Sequence, residues 1–186
     1  MKWVRIQSGW ARTEKTPGVY EFDWLDDVID NLLKRGLLPW ICLCYGNGIY
    51  GEDAGKVFGA VGVPPIKNDT QKKAWADYVK AVAARYRGKV RHYEVWNEPD
   101  GIWCWKHGVN MTEYGNFIID TAKAVRESDP DAYIIGGALC WPSIANLSEM
   151  LATGAAEHMN GFSFHEYTPD EAHLFEKTAY IRAVCA

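Results

Sequence analysis

The segment Tyr93-Glu94-Val95-Trp96-Asn97-Glu98-Pro99 holds the residues best suited to chemistry. Its first half has the aromatic and β-branched character of a strand, and the proline ends it. A carboxylate fixed at a strand end, with the Asn97 amide beside it, is well placed to act as a general acid/base. One carboxylate is usually half of such a machine, so the sequence poses the question of where the other half lies.

The elements that must hold Glu98 can be read from periodicity. Lys2 to Gln7 alternates, with Val4 and Ile6 on one face and Arg5 and Gln7 on the other. After a loop containing Thr16-Pro17-Gly18, Asp23 is expected to cap a helix. Leu25, Val28, Ile29, Leu32 and Leu33 form its apolar stripe and Gly36 its C-terminal stop. Leu38 to Cys44 reads as a buried strand, followed by a long Gly- and Pro-containing loop to about Lys67. Asn68 and Gln71 form a capping-box pattern ahead of a helix with Trp75, Tyr78, Val79, Val82 and Tyr86 on one face. Val90 to Trp96 is the third strand. Asn110 and Glu113 open another helix, and Ala132 to Gly137 is the fourth strand. A short helix lies near residues 145–153, and Gly161 to Glu166 is the fifth strand. Thr168, Pro169 and Glu171 are expected to start a last helix.

Strands alternating with helices imply parallel βαβ units, as in an open doubly wound sheet or a (β/α)8 barrel. No phosphate-binding glycine fingerprint follows the first strand, which weakens a nucleotide-binding open sheet. Arg5, Gln7, Glu94, Ser163 and His165 put polar side chains on the strand face opposite the apolar one. A barrel lumen accommodates them; a helix-covered face does so less readily. The expected fold is therefore an α/β TIM barrel, incomplete, with about five βα units in one domain spanning residues 1–186.

Composition agrees with a globular domain: 48% hydrophobic and 24% charged residues in a chain of 186. A net charge of −4 without a Lys/Arg stripe argues against nucleic acid as a partner. No stretch resembles a membrane span or a signal peptide. Nine Trp, ten Tyr and six Phe are an unusual load, and several Trp fall in loops, where flat rings suit sugar faces as well as packing. Cys42, Cys44, Cys104, Cys140 and Cys185 lack a C-x-x-C pattern and read as free thiols. His92, His107, His158, His165 and His173 lack metal-ligand spacing, so neither a metal nor another cofactor is expected. The sequons at Asn68, Asn110 and Asn146 read as helix-start and loop residues.

Barrel chemistry sits at the C-terminal ends of the strands. There the sequence places Ser8, Gly9 and Trp10; Tyr45 and Asn47; Asn97, Glu98, Trp103 and Trp105; Cys140 and Trp141; and His165, Glu166 and Tyr167.

In this order and spacing the chain resembles the clan A glycoside hydrolases, retaining glycosidases built on the TIM barrel. Trp3-Val4-Arg5-Ile6, Gly18-Val19-Tyr20-Glu21-Phe22 and Leu25-Asp26 are similar to the clan's second strand and the loop and helix after it. Asn97-Glu98-Pro99 matches the end of its fourth strand, and Phe164-His165-Glu166-Tyr167 the end of its sixth. The β-xylosidase and α-L-iduronidase family is the nearest in character, with the endoglucanase and mannanase family next.

The resemblance implies a carbohydrate substrate and a retaining double displacement at a β-linked oligo- or polysaccharide. Glu98 would be the general acid/base, Asn97 would bind the substrate 2-OH, and Arg5 would keep the nucleophile ionised. His165 and Tyr167 would line the sugar subsite, and Trp10, Tyr45, Trp103 and Trp141 would stack on sugar rings. Structural readings stand beside these. Arg5 could pair with Glu94, His165 could be a satisfied lumen residue, and Trp103 and Trp105 could merely cover the rim.

The family's nucleophile stands on its seventh strand. If the strands here match the second to the sixth, that glutamate is expected downstream of Ala186, and the chain is expected to be an incomplete barrel, marginal and inactive by itself. Glu166 is the one local substitute, although strand parity turns it with Phe162 and Phe164 towards the helices. A non-catalytic carbohydrate-binding barrel is the alternative reading. A metal-dependent hydrolase fits less well. Localisation and oligomeric state are not legible.

Overall fold

The structure, a computed structural model, describes residues 2–167 and 170–184. In chain order the strands and α-helices are β1 (Trp3–Gln7), α1 (Trp10–Thr13), β2 (Glu14–Thr16), β3 (Val19–Tyr20), α2 (Asp23–Lys34), β4 (Leu38–Leu43), α3 (Glu52–Gly55), α4 (Asp69–Tyr86), β5 (His92–Val95), α5 (Met111–Ser128), β6 (Tyr133–Leu139), α6 (Ile144–Leu151), β7 (Gly161–Phe164) and α7 (Glu171–Val184). Five strands form one parallel sheet in the order β1-β4-β5-β6-β7. Strand order follows chain order. A doubly wound sheet would reverse its order at a switch point, whereas a barrel winds one way. The sheet is an arc of a (β/α)8 barrel with β1 and β7 at its open edges.

The helices form where apolar periodicity and caps coincide. The Asn68 side chain accepts from the backbone N–H of Gln71 at 2.9 Å, and Asn110 accepts from that of Glu113 at 2.9 Å. Gln71 does not close the capping box: its side chain bridges Lys67 N and Tyr50 O instead. Asp23 is not a cap either. Phe22 occupies the N-cap position without a side-chain bond, and Asp23 and Asp26 place their charge in the first turn. Gly36 follows the helix with φ +70°, as a left-handed stop requires. The loop expected between β1 and α2 is built instead from α1 and a β2–β3 hairpin. The expected Thr168-Pro169 start of the last helix lies outside the described residues, as does Cys185; α7 is described from Glu171.

The stripes of α4 and α5 meet the sheet in an aromatic core. Trp75, Tyr78, Tyr114, Phe117, Trp96 and Trp105 are all buried there. Each fully buried large side chain contributes about 1.5–3 kcal/mol of hydrophobic stabilisation. Trp10 belongs to this core and not to the mouth. It has no exposed surface, lies stacked between Tyr50 and Tyr78 with ring centroids 5.4 Å from each, and donates from Nε1 to Glu14. No face is left for a sugar, so the stacking expectation for Trp10 is corrected. Its position just after a strand suggests a rim residue, but α1 folds it inward. Among the described residues, no helix is long and apolar enough to cross a membrane.

Candidate active site

The site is built in tiers up the lumen. In the lower tier, Glu94 of β5 is fully buried. One of its oxygens accepts from Arg5 Nε at 2.5 Å and the other from Ser163 Oγ at 2.7 Å. A buried carboxylate is tolerated only when paired in this way. Arg5 therefore does form the ion pair with Glu94. It also reaches upward: Nη2 donates to Asn97 Oδ1 at 2.8 Å and to Cys42 Sγ at 3.1 Å.

Above it the chain leaves β5 through an unusual backbone. Trp96 has φ +68° and Glu98 φ +47°, both in the left-handed region that non-glycine residues avoid. Such conformations concentrate at functional sites because the surrounding structure must hold them. The restraints are visible. Trp96 N donates to Leu43 O and Glu98 N to Ala138 O, while the Trp96 indole packs outward against Trp75, Phe117 and Trp105. Ala138 is itself left-handed at φ +50°, within an irregularity of the β6–β7 pairing between Gly137 and Leu139. That bulge brings the Ala138 carbonyl to Glu98 and lets Ser163 Oγ satisfy Ala138 N.

The Glu98 carboxylate collects three donors. His165 Nδ1 lies 2.7 Å from Oε1, Tyr167 Oη donates to the same oxygen at 3.0 Å, and Trp103 Nε1 donates to Oε2 at 2.6 Å. An ionised carboxylate only accepts, so Nδ1 of His165 carries the proton in this contact. Partial burial opposes the charge on Glu98, but the bonds from His165, Trp103 and Tyr167 outweigh it and hold the carboxyl below its ordinary range. The same pairing raises the Tyr167 phenol, since a phenolate beside Glu98 would be repelled.

An aromatic wall stands beside Glu98. Trp103 and Trp141 meet edge to face at 5.1 Å and stay 39% and 59% exposed, unlike the core tryptophans. Asp100, nearly buried, braces this wall by accepting from Cys140 N at 2.9 Å and Trp141 N at 2.5 Å. A Cβ on Gly101 would lie 2.3 Å from the Trp103 ring, so glycine lets that ring fold over towards Glu98. Tyr45 is half-buried and edge-on to the core residue Trp96, with its hydroxyl 3.6 Å from Cys104 Sγ. Trp105 is wholly buried, and Asn47 serves the fold by donating to Glu14 O at 2.8 Å.

Glu166 turns away, as strand parity requires. It pairs with Lys177 of α7, lies 3.7 Å from His173, and is held ionised chiefly by Lys177. Its side chain is committed to the helix side. Sequence reasoning missed Asp100, whose partners lie about forty residues on, and Cys104, whose thiol meets Asn97 only through the fold of the intervening loop. Among the described residues, no group of three or more His, Cys, Asp or Glu side chains is arranged to hold a metal.

Comparison with known proteins supplies the context. The family model for glycosyl hydrolases family 39 matches residues 6–178. A β-xylosidase of Geobacillus stearothermophilus is 28% identical over 163 residues, covering 83% of this chain and 32% of that protein. A monomeric β-xylosidase from Caulobacter crescentus CB15 superposes with a TM-score of 0.78 at 20% identity, over 99% of this chain and 43% of its own. The family 39 enzyme of Xanthomonas axonopodis pv. citri gives 0.77 at 19% identity, over 98% and 41%. The chain thus spans about a third of the curated relative's length, and its five strands correspond to part of the neighbours' fold. By the match over residues 6–178, this chain belongs to glycosyl hydrolase family 39.

Proposed function

We propose that this chain carries the acid/base half of a retaining β-glycosidase site. The observation that carries the reading is Glu98, set on a left-handed backbone at the mouth end of β5 between its three donors and Asn97. In the first half-reaction Glu98 gives its proton to the leaving oxygen while a second carboxylate attacks the anomeric carbon. In the second, Glu98 takes a proton from water, which displaces the sugar from the enzyme. That second carboxylate must stand about 5–5.5 Å from Glu98. Glu94, Asp100 and Glu166 are each engaged elsewhere, so the nucleophile is assigned to sequence outside residues 1–186. Its negative charge would push the Glu98 carboxyl upward, against the donors, into the range a general acid needs.

Asn97 binds the 2-OH, and Arg5 holds Asn97 in place while presenting its charge to the nucleophile. His165 and Tyr167 line the sugar subsite, and Trp103 and Trp141 offer the exposed ring faces. β-Xylosides are the first substrates to try, because two of the three proteins named above are β-xylosidases.

The experiment is turnover of aryl β-xylosides, β-glucosides and β-mannosides by the polypeptide that includes this chain and its flanking sequence, with product anomers read by NMR. Retention is expected. Glu98→Ala should lose about 10²–10⁴-fold on substrates with poor leaving groups, whose departure needs the proton. On aryl glycosides with good leaving groups, where the second half-reaction limits the variant, azide should restore turnover as the β-glycosyl azide. Sugar binding without turnover would instead establish the carbohydrate-binding reading, and inverted product would remove the double displacement.

A further inference from the structure

We infer that Cys104 is a positioning residue whose thiol fixes the Asn97 side chain, so that a single amide N–H of Asn97 is left for the substrate. The role of that N–H towards a sugar hydroxyl rests on the glycosidase reading; the fixing of Asn97 does not.

The argument starts from the amide's two ends. Arg5 offers only donors, so the atom it meets at 2.8 Å must be the amide oxygen. That decides the flip and turns Nδ2 towards Cys104, whose Sγ accepts at 3.4 Å. Nδ2 has two hydrogens, and the second has no partner among the described residues. Asn97 is only 7% exposed, so a spare donor there is poorly served by solvent and suited to a ligand's oxygen. Neither contact alone would hold the amide: Arg5 alone leaves it free to rock about its oxygen.

Cys104 is itself held rigidly enough to act as a reference point. Its N–H donates to Gly101 O at 2.9 Å, its carbonyl accepts from Trp96 Nε1 at 2.7 Å, and its thiol lies 3.6 Å from Tyr45 Oη. Gly62 presses on the backbone behind it: a Cβ there would lie 2.8 Å from the Cα of Cys104. Burial pushes the thiol pKa up, against the bonds from Tyr45 and Asn97, so the group remains a neutral S–H. The Trp96 bond also ties Cys104 to the left-handed segment that carries Asn97.

The test has two arms. In the polypeptide that includes this chain and its flanking sequence, the Asn97 side-chain amide is assigned by NMR from the signals lost in Asn97→Asp. Cys104→Ala should raise the exchange rate of those protons about tenfold, and Cys104→Ser should bring it back to within about threefold of wild type. Cys104→Val, which fills the space without accepting a hydrogen bond, gives the same reading if Cys104→Ala loosens the packing. Unchanged Asn97 protons in the Ala and Val variants would overturn the proposal.

In the polypeptide that turns over aryl β-glycosides, Cys104→Ala should lower kcat about tenfold on a 2-hydroxy substrate with KM nearly constant, and leave a 2-deoxy substrate unaffected. Equal losses on both substrates would show a merely structural role and overturn the positioning claim. If the wild-type polypeptide turns over neither substrate, the glycosidase reading fails and the NMR arm still decides the place of Cys104.

Discussion

Two groups of tryptophans divide the molecule. Trp75, Trp96 and Trp105 lie between the helices and the sheet, wholly or almost wholly buried, each edge-on to another ring. Trp103 and Trp141 stand at the mouth, 39% and 59% exposed, and Trp103 spends its indole N–H on a carboxylate. The residue type is the same and the neighbourhood decides the work. In the first group the ring replaces water with other rings. In the second it keeps a face free and uses its polar edge on Glu98. Trp96 joins the two regions: its left-handed backbone starts the segment that carries Asn97 and Glu98 while its ring is anchored in the core behind.

The largest effect expected from this division is on stability. Trp105→Ala should destabilise the chain by about 3–5 kcal/mol, because a fully packed aromatic leaves a cavity. Trp141→Ala should stay within about 0.5 kcal/mol, since its ring touches mainly Trp103 and solvent. Urea unfolding followed by far-UV circular dichroism measures both. Comparable losses would dissolve the distinction, and would mean that the mouth wall is part of the core.

A smaller effect concerns acid. The donors around Glu98 hold its carboxyl below its ordinary range, so they stabilise the folded chain while that carboxyl is ionised. This contribution is complete above the ordinary glutamate value of about 4.3 and is lost as pH falls through the lower folded value. Wild type should therefore lose stability relative to Glu98→Gln as pH drops below about 4.3. The difference isolates Glu98 from Asp26 and Asp53, whose ion pairs with Arg85 and Lys67 are common to both chains. A pH-independent gap would mean that the three bonds do not favour the anion.

How much of this was legible in the sequence depends on the range of each interaction. Strand parity correctly turned Arg5, Glu94, Ser163 and His165 into the lumen and Glu166 out of it, because a period of two needs only local sequence. Helix stripes and the Asn68 and Asn110 caps were legible for the same reason. The helix α1 that buries Trp10 was not. Four residues carry no usable period, and what draws the ring inward is Tyr50 and Tyr78, far along the chain. The left-handed residues Trp96, Glu98 and Ala138 left no mark either, since none is glycine and each is held by partners supplied at a distance. Asp100 acts through backbone groups about forty residues away, and Cys104 meets Asn97 only because the loop after β5 folds back on itself, a geometry no local period announces.

The smallest predicted effect is the sharpest on the mouth tryptophans. Gly101 leaves room for the Trp103 ring, and a methyl there would meet it at 2.3 Å. The ring is partly exposed and can move, so Gly101→Ala should swing it off Glu98 at little cost in stability. The carboxylate then loses one of three donors, and its pKa rises. Trp103→Phe removes the same donor while keeping a ring. Both variants should move the Glu98 titration upward, read by 13C NMR of the carboxyl in the chain. If Glu98 is the general acid proposed above, both should also move the basic limb of the kcat/KM profile of the longer polypeptide upward, because a general acid with a higher pKa keeps its proton longer. If Gly101→Ala raises the pKa and Trp103→Phe does not, the ring's bulk rather than its N–H governs Glu98, and the mouth tryptophans differ from the core ones in exposure alone.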